Sequence, residues 1–341
     1  MFQVFTPVHI PFRGSNDEIV LGNGAFGTVI LVKDQFGRKF AYKKCNRLKY
    51  LPGTLKEAKI MTKLGQYPQH PNIMELIIAI PRTIRYENGV DIVMPKCEGS
   101  LFDLIEERYK KVGFGLTEPV LLDLVQDLVN GLTFMQSKNV THCDLKPENV
   151  LYVLDNTRQS GYRFIIADFG GAEEVAVVNR RIQTKYYRCP ENLLNKKNDI
   201  RACDFFSLGC ILYTAITSII LIHYKEEKNI TELQMEERQI IRILQLIGSD
   251  FIQEFNNELD YSRFMKHVGK KGEIHTDQIL LASFKEMDYK FGSEWISYIQ
   301  NMLIPFPSQR LDYVCSYPGS TLEPGAIVET DQENRVPKNI L

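Results

Sequence analysis

Residues Asn139–Leu151 read Asn-Val-Thr-His-Cys-Asp-Leu-Lys-Pro-Glu-Asn-Val-Leu. Asp144, Lys146 and Asn149 share one short polar loop there, with apolar runs on both sides. Unpaired charges beside a core are costly, so such a cluster needs a chemical reason. One reason serves all three side chains. Asp144 can orient a hydroxyl and take its proton, Lys146 can neutralise a phosphoryl group, and Asn149 can hold a divalent metal. Phosphoryl transfer requires that division of labour.

Composition sets the frame. The 341 residues are 44% hydrophobic, which suits one large domain or two lobes and argues against disorder. Basic and acidic residues balance at 41 and 42, so no nucleic-acid partner is expected, because such binders carry a basic excess. The seven cysteines are scattered without a C-x-x-C pair, which argues against a zinc knuckle or a disulfide scaffold and for a reducing compartment. The opening Met-Phe-Gln-Val-Phe-Thr-Pro lacks a basic region followed by a long apolar run, so no secretory signal is expected. A cytoplasmic or nuclear location follows, in the parent cell or in a host cell that receives the chain, and the sequon at Asn229 is read as fortuitous. The longest apolar stretch, Leu208–Ile222, is short for a bilayer and contains Gly209, Thr214, Thr217 and Ser218. A buried helix is expected there, with no membrane span.

Upstream of the loop, Ile19–Val32 places Gly22, Gly24 and Gly27 between two β-rich runs. Such glycines let a backbone approach phosphates closely, but the same spacing fits a dinucleotide fingerprint or a plain hairpin. β-branched Thr28, Val29, Ile30 and Val32 continue as a strand, where a dinucleotide site needs a helix. Lys39–Lys44 alternates as a strand carrying Lys43. Leu55, Ala58, Met61 and Leu64 predict a helix over Thr54–Leu64, with Glu57 on it. Asp91–Met94 is an apolar strand that runs into Pro95-Lys96-Cys97-Glu98-Gly99. Leu101–Lys110 and Val120–Ser137 read as helices, the second with a periodic apolar face from Leu121 to Met135. Arg163–Ile166 is a short strand that delivers Asp168 ahead of Phe169-Gly170. Farther on, Ile240, Ile243, Leu244 and Ile247 suggest a helix ending at Gly248, and Glu294–Leu303 another. Phe251–Asp277 has a mixed pattern and reads as an insert, and the Pro- and Gly-rich tail from Ser316 reads as extended.

The pattern His-x-Asp-x-Lys-x-x-Asn at 142–149 resembles the catalytic loop of eukaryotic-type protein kinases of the serine/threonine form. The glycine run, Lys43, Glu57, Asp168-Phe169-Gly170, Cys189-Pro190-Glu191 and Arg310 follow the same family in order and spacing, over Asp17–Tyr313. The resemblance implies an α+β bilobal fold. A β-rich N-lobe with one key helix would span 17–94, a hinge 95–100, a mostly helical C-lobe 101–313 and a tail 314–341. It also implies an enzyme that moves the ATP γ-phosphate to Ser or Thr hydroxyls of protein substrates, with Mg²⁺ as cofactor and Mn²⁺ able to substitute. ATP would lie against Leu21, Gly22, Asn23, Gly24, Ala25, Phe26, Gly27, Val29 and Ala41. Met94 would back the adenine pocket, and the Cys97 N–H would read adenine at the hinge. Lys43 would hold the phosphates and pair with Glu57. Asp144, Lys146 and Thr184 would form the catalytic group, and Asn149 and Asp168 would hold the metal through oxygen, which Mg²⁺ prefers. Glu191 would pair with Arg310, and Asp204 would receive backbone N–H groups from the catalytic loop. The run Ile182–Arg188 is similar to the branch holding cyclin-dependent, mitogen-activated and dual-specificity kinases, which commonly has Arg where this chain has Lys185.

Cys143 departs from the family. Kinases controlled by phosphorylation carry Arg there, which binds phosphate on the activation segment. The segment Gly171–Gln183 also contains no Ser, Thr or Tyr. Loop phosphorylation is therefore not expected to be the on-switch. Packing would order the segment, or Glu173 and Glu174 meeting Arg180, Arg181 or a regulatory partner. The competing reading is a pseudokinase that binds nucleotide and acts as a scaffold. Against it, Lys43, Glu57, Asp144, Lys146, Asn149 and Asp168 all persist. A small-molecule phosphotransferase is a third reading, and Thr184 and the Glu191/Arg310 pair weigh against it.

Overall fold

The structure, a computed structural model, describes residues 19–23, 27–45, 48–66, 68–174, 177–178, 181–193, 198–222, 231–247, 287, 289–304 and 307–320. The insert read at Phe251–Asp277 and the tail beyond 320 lie outside the described residues.

Alternating β-branched and aromatic residues build an antiparallel sheet of β1 (Val20–Asn23), β2 (Thr28–Lys33), β3 (Lys39–Lys44), β4 (Ile78–Ile84) and β5 (Glu87–Pro95), in the order β1-β2-β3-β5-β4. Gly27 is required at the β1–β2 turn, because a Cβ there would meet the Lys44 carbonyl oxygen at 2.2 Å. Helix α1 (Leu51–Leu64) packs on this sheet through Leu51, Ala58, Ile60, Met61 and Leu64. It starts three residues before the expected Thr54, because Pro52 is well tolerated in a first turn. Together these elements form the first lobe.

The chain crosses to the second lobe at β6 (Gly99–Ser100) and enters α2 (Leu101–Val112) through a capping box between Ser100 and Asp103. Helix α3 (Glu118–Ser137) buries the expected apolar face, from Leu121 through Met135. β7 (Val150–Leu154) pairs with β6 on one side and β8 (Tyr162–Ile166) on the other in a small sheet, with Val150 opposite Ile166. α4 (Pro190–Leu193), α5 (Cys203–Thr217), α6 (Glu232–Ile247), α7 (Ser293–Leu303) and α8 (Pro307–Tyr313) complete the lobe. This is the bilobal α+β architecture expected.

Every residue of α5 is buried. The window Ile200–Thr217 is long and apolar enough to cross a membrane, but 94% of it lies inside the protein. Helix α6 begins eight residues before the first apolar position used to predict it. Its early buried positions are Glu236 and Gln239, and polar side chains are invisible to hydrophobic periodicity.

Within the second lobe, the Cys189-Pro190-Glu191 stretch and α8 meet in a buried ion pair. Arg310 bonds Glu191 and donates to the Ala202 carbonyl oxygen at 2.8 Å, with both side chains almost fully enclosed. Removing one partner of such a pair strands a buried charge and costs about 3–5 kcal/mol. Arg310→Met is therefore expected to lower the urea unfolding free energy by about that much. Arg310→Met with Glu191→Gln should recover part of the loss. Equal stability of wild type and Arg310→Met in urea titrations would contradict this.

Candidate active site

The loop that carries Asp144 is held by the helix beneath it. The buried carboxylate of Asp204, in the first turn of α5, accepts the backbone N–H groups of His142 at 2.6 Å and Cys143 at 3.0 Å. That matches the role expected for Asp204. His142 Nε2 lies 2.9 Å from the Ala167 carbonyl oxygen, and its Nδ1 accepts the Asp144 N–H at 3.2 Å. A carbonyl can only accept, so the proton sits on Nε2. The imidazole thus ties the loop to the residue before Asp168.

Asp144 is the centre of a compact cluster. Its Oδ1 accepts from the Thr184 hydroxyl at 2.6 Å and from the Thr184 N–H at 2.8 Å, and its Oδ2 lies 3.0 Å from Lys146 Nζ. Lys146 also reaches the Thr184 oxygen at 3.1 Å. Asn149 donates its amide N–H to the Asp144 carbonyl oxygen at 2.8 Å, and no described donor reaches its amide oxygen. The Ala167 N–H bonds the Asn149 carbonyl at 2.9 Å, so β7 and β8 bring Asp168 beside Asn149.

On the first-lobe side, β3 and α1 place Lys43 Nζ at 2.7 Å from Glu57 and 2.6 Å from Asp168. Burial alone disfavours the Lys43 charge, but the two carboxylates outweigh it and raise the ammonium above its ordinary value. Burial likewise works against ionisation of Asp168, yet Lys43 holds its carboxyl below the usual range. For Glu57 burial prevails and pushes the pKa up, against the pull of Lys43. The Asp168 side chain remains 35% exposed, in contrast to 5% for Glu57, so it faces the cleft.

Of the remaining expected nucleotide contacts, the described ones fall on β1, β2, β3 and β5 and on the stretch between β5 and β6. Ala41 and Met94 are register partners across β3 and β5, both buried, and Val29 is opposite Lys43. Leu21 on β1 is 42% exposed, Gly22 pairs with Val29, and Asn23 accepts a bond from Thr28 Oγ1 at 3.1 Å. Cys97 is half-buried at the crossing between lobes, and burial pushes its thiol up to about 11. Gly24, Ala25 and Phe26 lie outside the described residues.

A domain model described as "Protein kinase domain" matches residues 16–315. The chain belongs to the protein kinase domain family. Among its relatives, serine/threonine-protein kinase prpf4B of Dictyostelium discoideum is 26% identical over 261 residues, 75% of this chain and 30% of the relative. A probable dual specificity protein kinase YAK1 homolog of Encephalitozoon cuniculi is 30% identical over 197 residues, 57% of this chain and 45% of the relative. Cyclin-dependent kinase 9 of Rattus norvegicus is 29% identical over 310 residues, 86% of this chain and 76% of the relative. The kinase chain thus spans less than half the length of the first two. The names of the last two agree with the branch that the Ile182–Arg188 run resembles.

Of the expected partners of Glu173 and Glu174, Arg181 is not paired with either among the described residues. Glu173 pairs with Lys56 at 2.8 Å, and Glu174 with Lys63 at 2.9 Å and Lys59 at 3.3 Å, all on α1. Arg180 lies outside the described residues. Arg181 instead reaches Glu236 on α6 at 2.6 Å and donates to the Asn192 and Leu193 carbonyl oxygens. Three lysines on one α1 face, at 56, 59 and 63, were the available signal for the first set. Asp127 was also missed: it takes Arg158 at 2.7 and 2.9 Å and the Phe164 N–H at 2.7 Å, anchoring the strand that leads to Asp168. A carboxylate on the apolar face of α3 was its signal.

Lys43 is the cation between two carboxylates, which gives a pH test. In Lys43→Met, Glu57 and Asp168 face each other without it, and the folded state retains a proton that the unfolded state releases. More protons bound folded than unfolded means stability falls as pH rises. Urea titrations from pH 5 to 8 should show Lys43→Met losing stability relative to wild type, by up to about 1.4 kcal/mol per pH unit where one proton is involved. A pH-independent difference between the two proteins would contradict the charge assignment.

Proposed function

We propose that the chain is a serine/threonine protein kinase that transfers the γ-phosphate of ATP to protein hydroxyl groups without a phosphorylated activation segment. One observation carries this reading: the Asp144 carboxylate is bonded at once to Thr184 and Lys146, beside Asn149 and Asp168, while Lys43 bonds both Glu57 and Asp168. The match to the protein kinase domain and the relatives named as serine/threonine kinases support the choice of acceptor.

In this reading Asp144 orients the substrate hydroxyl and receives its proton. Lys146 offsets charge on the transferred group, and Thr184 keeps both side chains aligned. Lys43, fixed by Glu57, holds the α- and β-phosphates. The Asn149 amide oxygen and the Asp168 carboxylate offer the oxygen donors that suit Mg²⁺. Asn149 and Asp168 would hold the ion, which would supply positive charge against the phosphates. The adenine lies between Leu21, Val29, Ala41 and Met94, with the Cys97 N–H at its edge.

The contacts of the activation segment support activation without phosphate. Glu173 and Glu174 tie its start to α1, and Glu236 accepts both Arg181 and Arg188, the latter at 3.4 Å. The exposed lysine pairs each contribute little, about 0–1 kcal/mol, so the site at buried Glu236 is the stronger tie.

Asp144→Asn should lower kcat for a Ser/Thr peptide about 10²–10⁴-fold with ATP affinity retained. Asp168→Asn should instead abolish the Mg²⁺ dependence of nucleotide binding. Steady-state kinetics and titration calorimetry check both. Wild type that binds Mg-ATP and transfers nothing would favour the scaffold reading.

A further inference from the structure

Gln183 lies immediately before Thr184 with φ of 66°, a left-handed backbone that an unbranched side chain adopts only under constraint. Its side chain is buried. Its amide nitrogen lies 2.9 Å from Ser207 Oγ, 3.1 Å from the Cys203 carbonyl oxygen and 3.3 Å from that of Tyr187. Its amide oxygen accepts the Cys189 N–H at 3.0 Å. The orientation is fixed, because a backbone N–H can only donate and the carbonyls can only accept. The main chain of the same residue works in the other direction. Its N–H donates to the Cys143 carbonyl oxygen at 2.9 Å, and its carbonyl oxygen accepts from Arg188 Nη2 at 3.1 Å.

One residue therefore joins the catalytic loop, the Cys-Pro-Glu end of the segment and the first turns of α5. The next residue delivers both its N–H and its hydroxyl to Asp144. The chain has a cysteine where a phosphate-binding arginine would stand, and no hydroxyl over 171–183 to carry the phosphate. Ties other than phosphate must hold this end of the segment, and beside the Glu236 ion pairs the Gln183 amide is one.

We propose that Gln183 is the positioning residue that sets Thr184 on Asp144, its buried amide replacing a phosphate–arginine tie. The assignment rests on reading the Asp144 cluster as a phosphoryl-transfer centre. It requires an amide, not merely a side chain of that volume. Glutamate in the same place keeps an oxygen for the Cys189 N–H but turns a second oxygen on the carbonyls of Cys203 and Tyr187. Methionine keeps the length and loses every bond. A space-filling role would tolerate methionine.

The test compares full-length wild type, Gln183→Met and Gln183→Glu. It reads kcat and KM for a Ser/Thr peptide, Mg-ADP affinity, and amide hydrogen exchange. Both variants should lose at least tenfold in kcat, keep Mg-ADP affinity within twofold, and exchange faster over Ile182–Cys189 while α1 and α3 stay protected. Unchanged kcat in Gln183→Met, or unchanged exchange over that stretch, would overturn the proposal. So would a fall in kcat matched by loss of Mg-ADP binding, which marks general unfolding. Should the buried charge prevent Gln183→Glu from folding, Ser207→Ala removes one acceptor of the same amide and should give a smaller effect of the same kind. If wild type itself transfers no phosphate, the kinase reading fails, and faster exchange in Gln183→Met still decides whether the amide holds the segment.

Discussion

The buried carboxylate of Asp204 is the constraint on which the site depends. It has lost its water, so it must be satisfied by protein donors, and the donors it takes are the N–H groups of His142 and Cys143. Those two bonds fix the backbone from which Asp144 projects. His142 then carries the geometry to Ala167 and hence to Asp168. Because α5 is buried over its whole length, the loop inherits the rigidity of the core and not the mobility of a surface turn.

A second layer of ties orders the parts that must be brought to that loop. Lys43, paired with Glu57 inside the sheet lobe, links that lobe to Asp168, and its charge is stabilised by the two carboxylates. Glu236 on α6, and Ser207 on α5 through the Gln183 amide, hold the end of the activation segment. Each is internal to the chain. Phosphate-dependent ordering would leave a buried or clustered arginine waiting for an anion. Here the described arginines of the segment, Arg181 and Arg188, already have a carboxylate between them.

Much of this was legible in the residues. Lys43 with Glu57, Glu191 with Arg310, Thr184 with Asp144, and Asp204 with the loop were expected, and each is a direct contact. These residues belong to motifs whose order and spacing constrain them. The strands and most helices were legible because their buried faces are apolar and periodic. What was not legible depends on long-range juxtaposition. Glu174 meets Lys63 across 111 residues, and no local pattern pairs them. Gln183 carries no signal of its own within the Ile182–Arg188 run, because an amide becomes informative only once its four partners are known. The start of α6 was hidden by buried polar residues, where periodicity of apolar side chains carries no signal.

The central claim is that the site is assembled by the unmodified chain. The direct measurement uses protein made in bacteria and treated with phosphatase, with mass spectrometry to verify that it carries no phosphate. It is mixed with Mg-ATP and a Ser/Thr peptide library at once, and initial rates are compared with the untreated protein. Equal rates, with phosphate appearing on Ser or Thr, are the predicted result. Transfer that is absent at first and appears only after a lag, as the protein becomes phosphorylated, would contradict it.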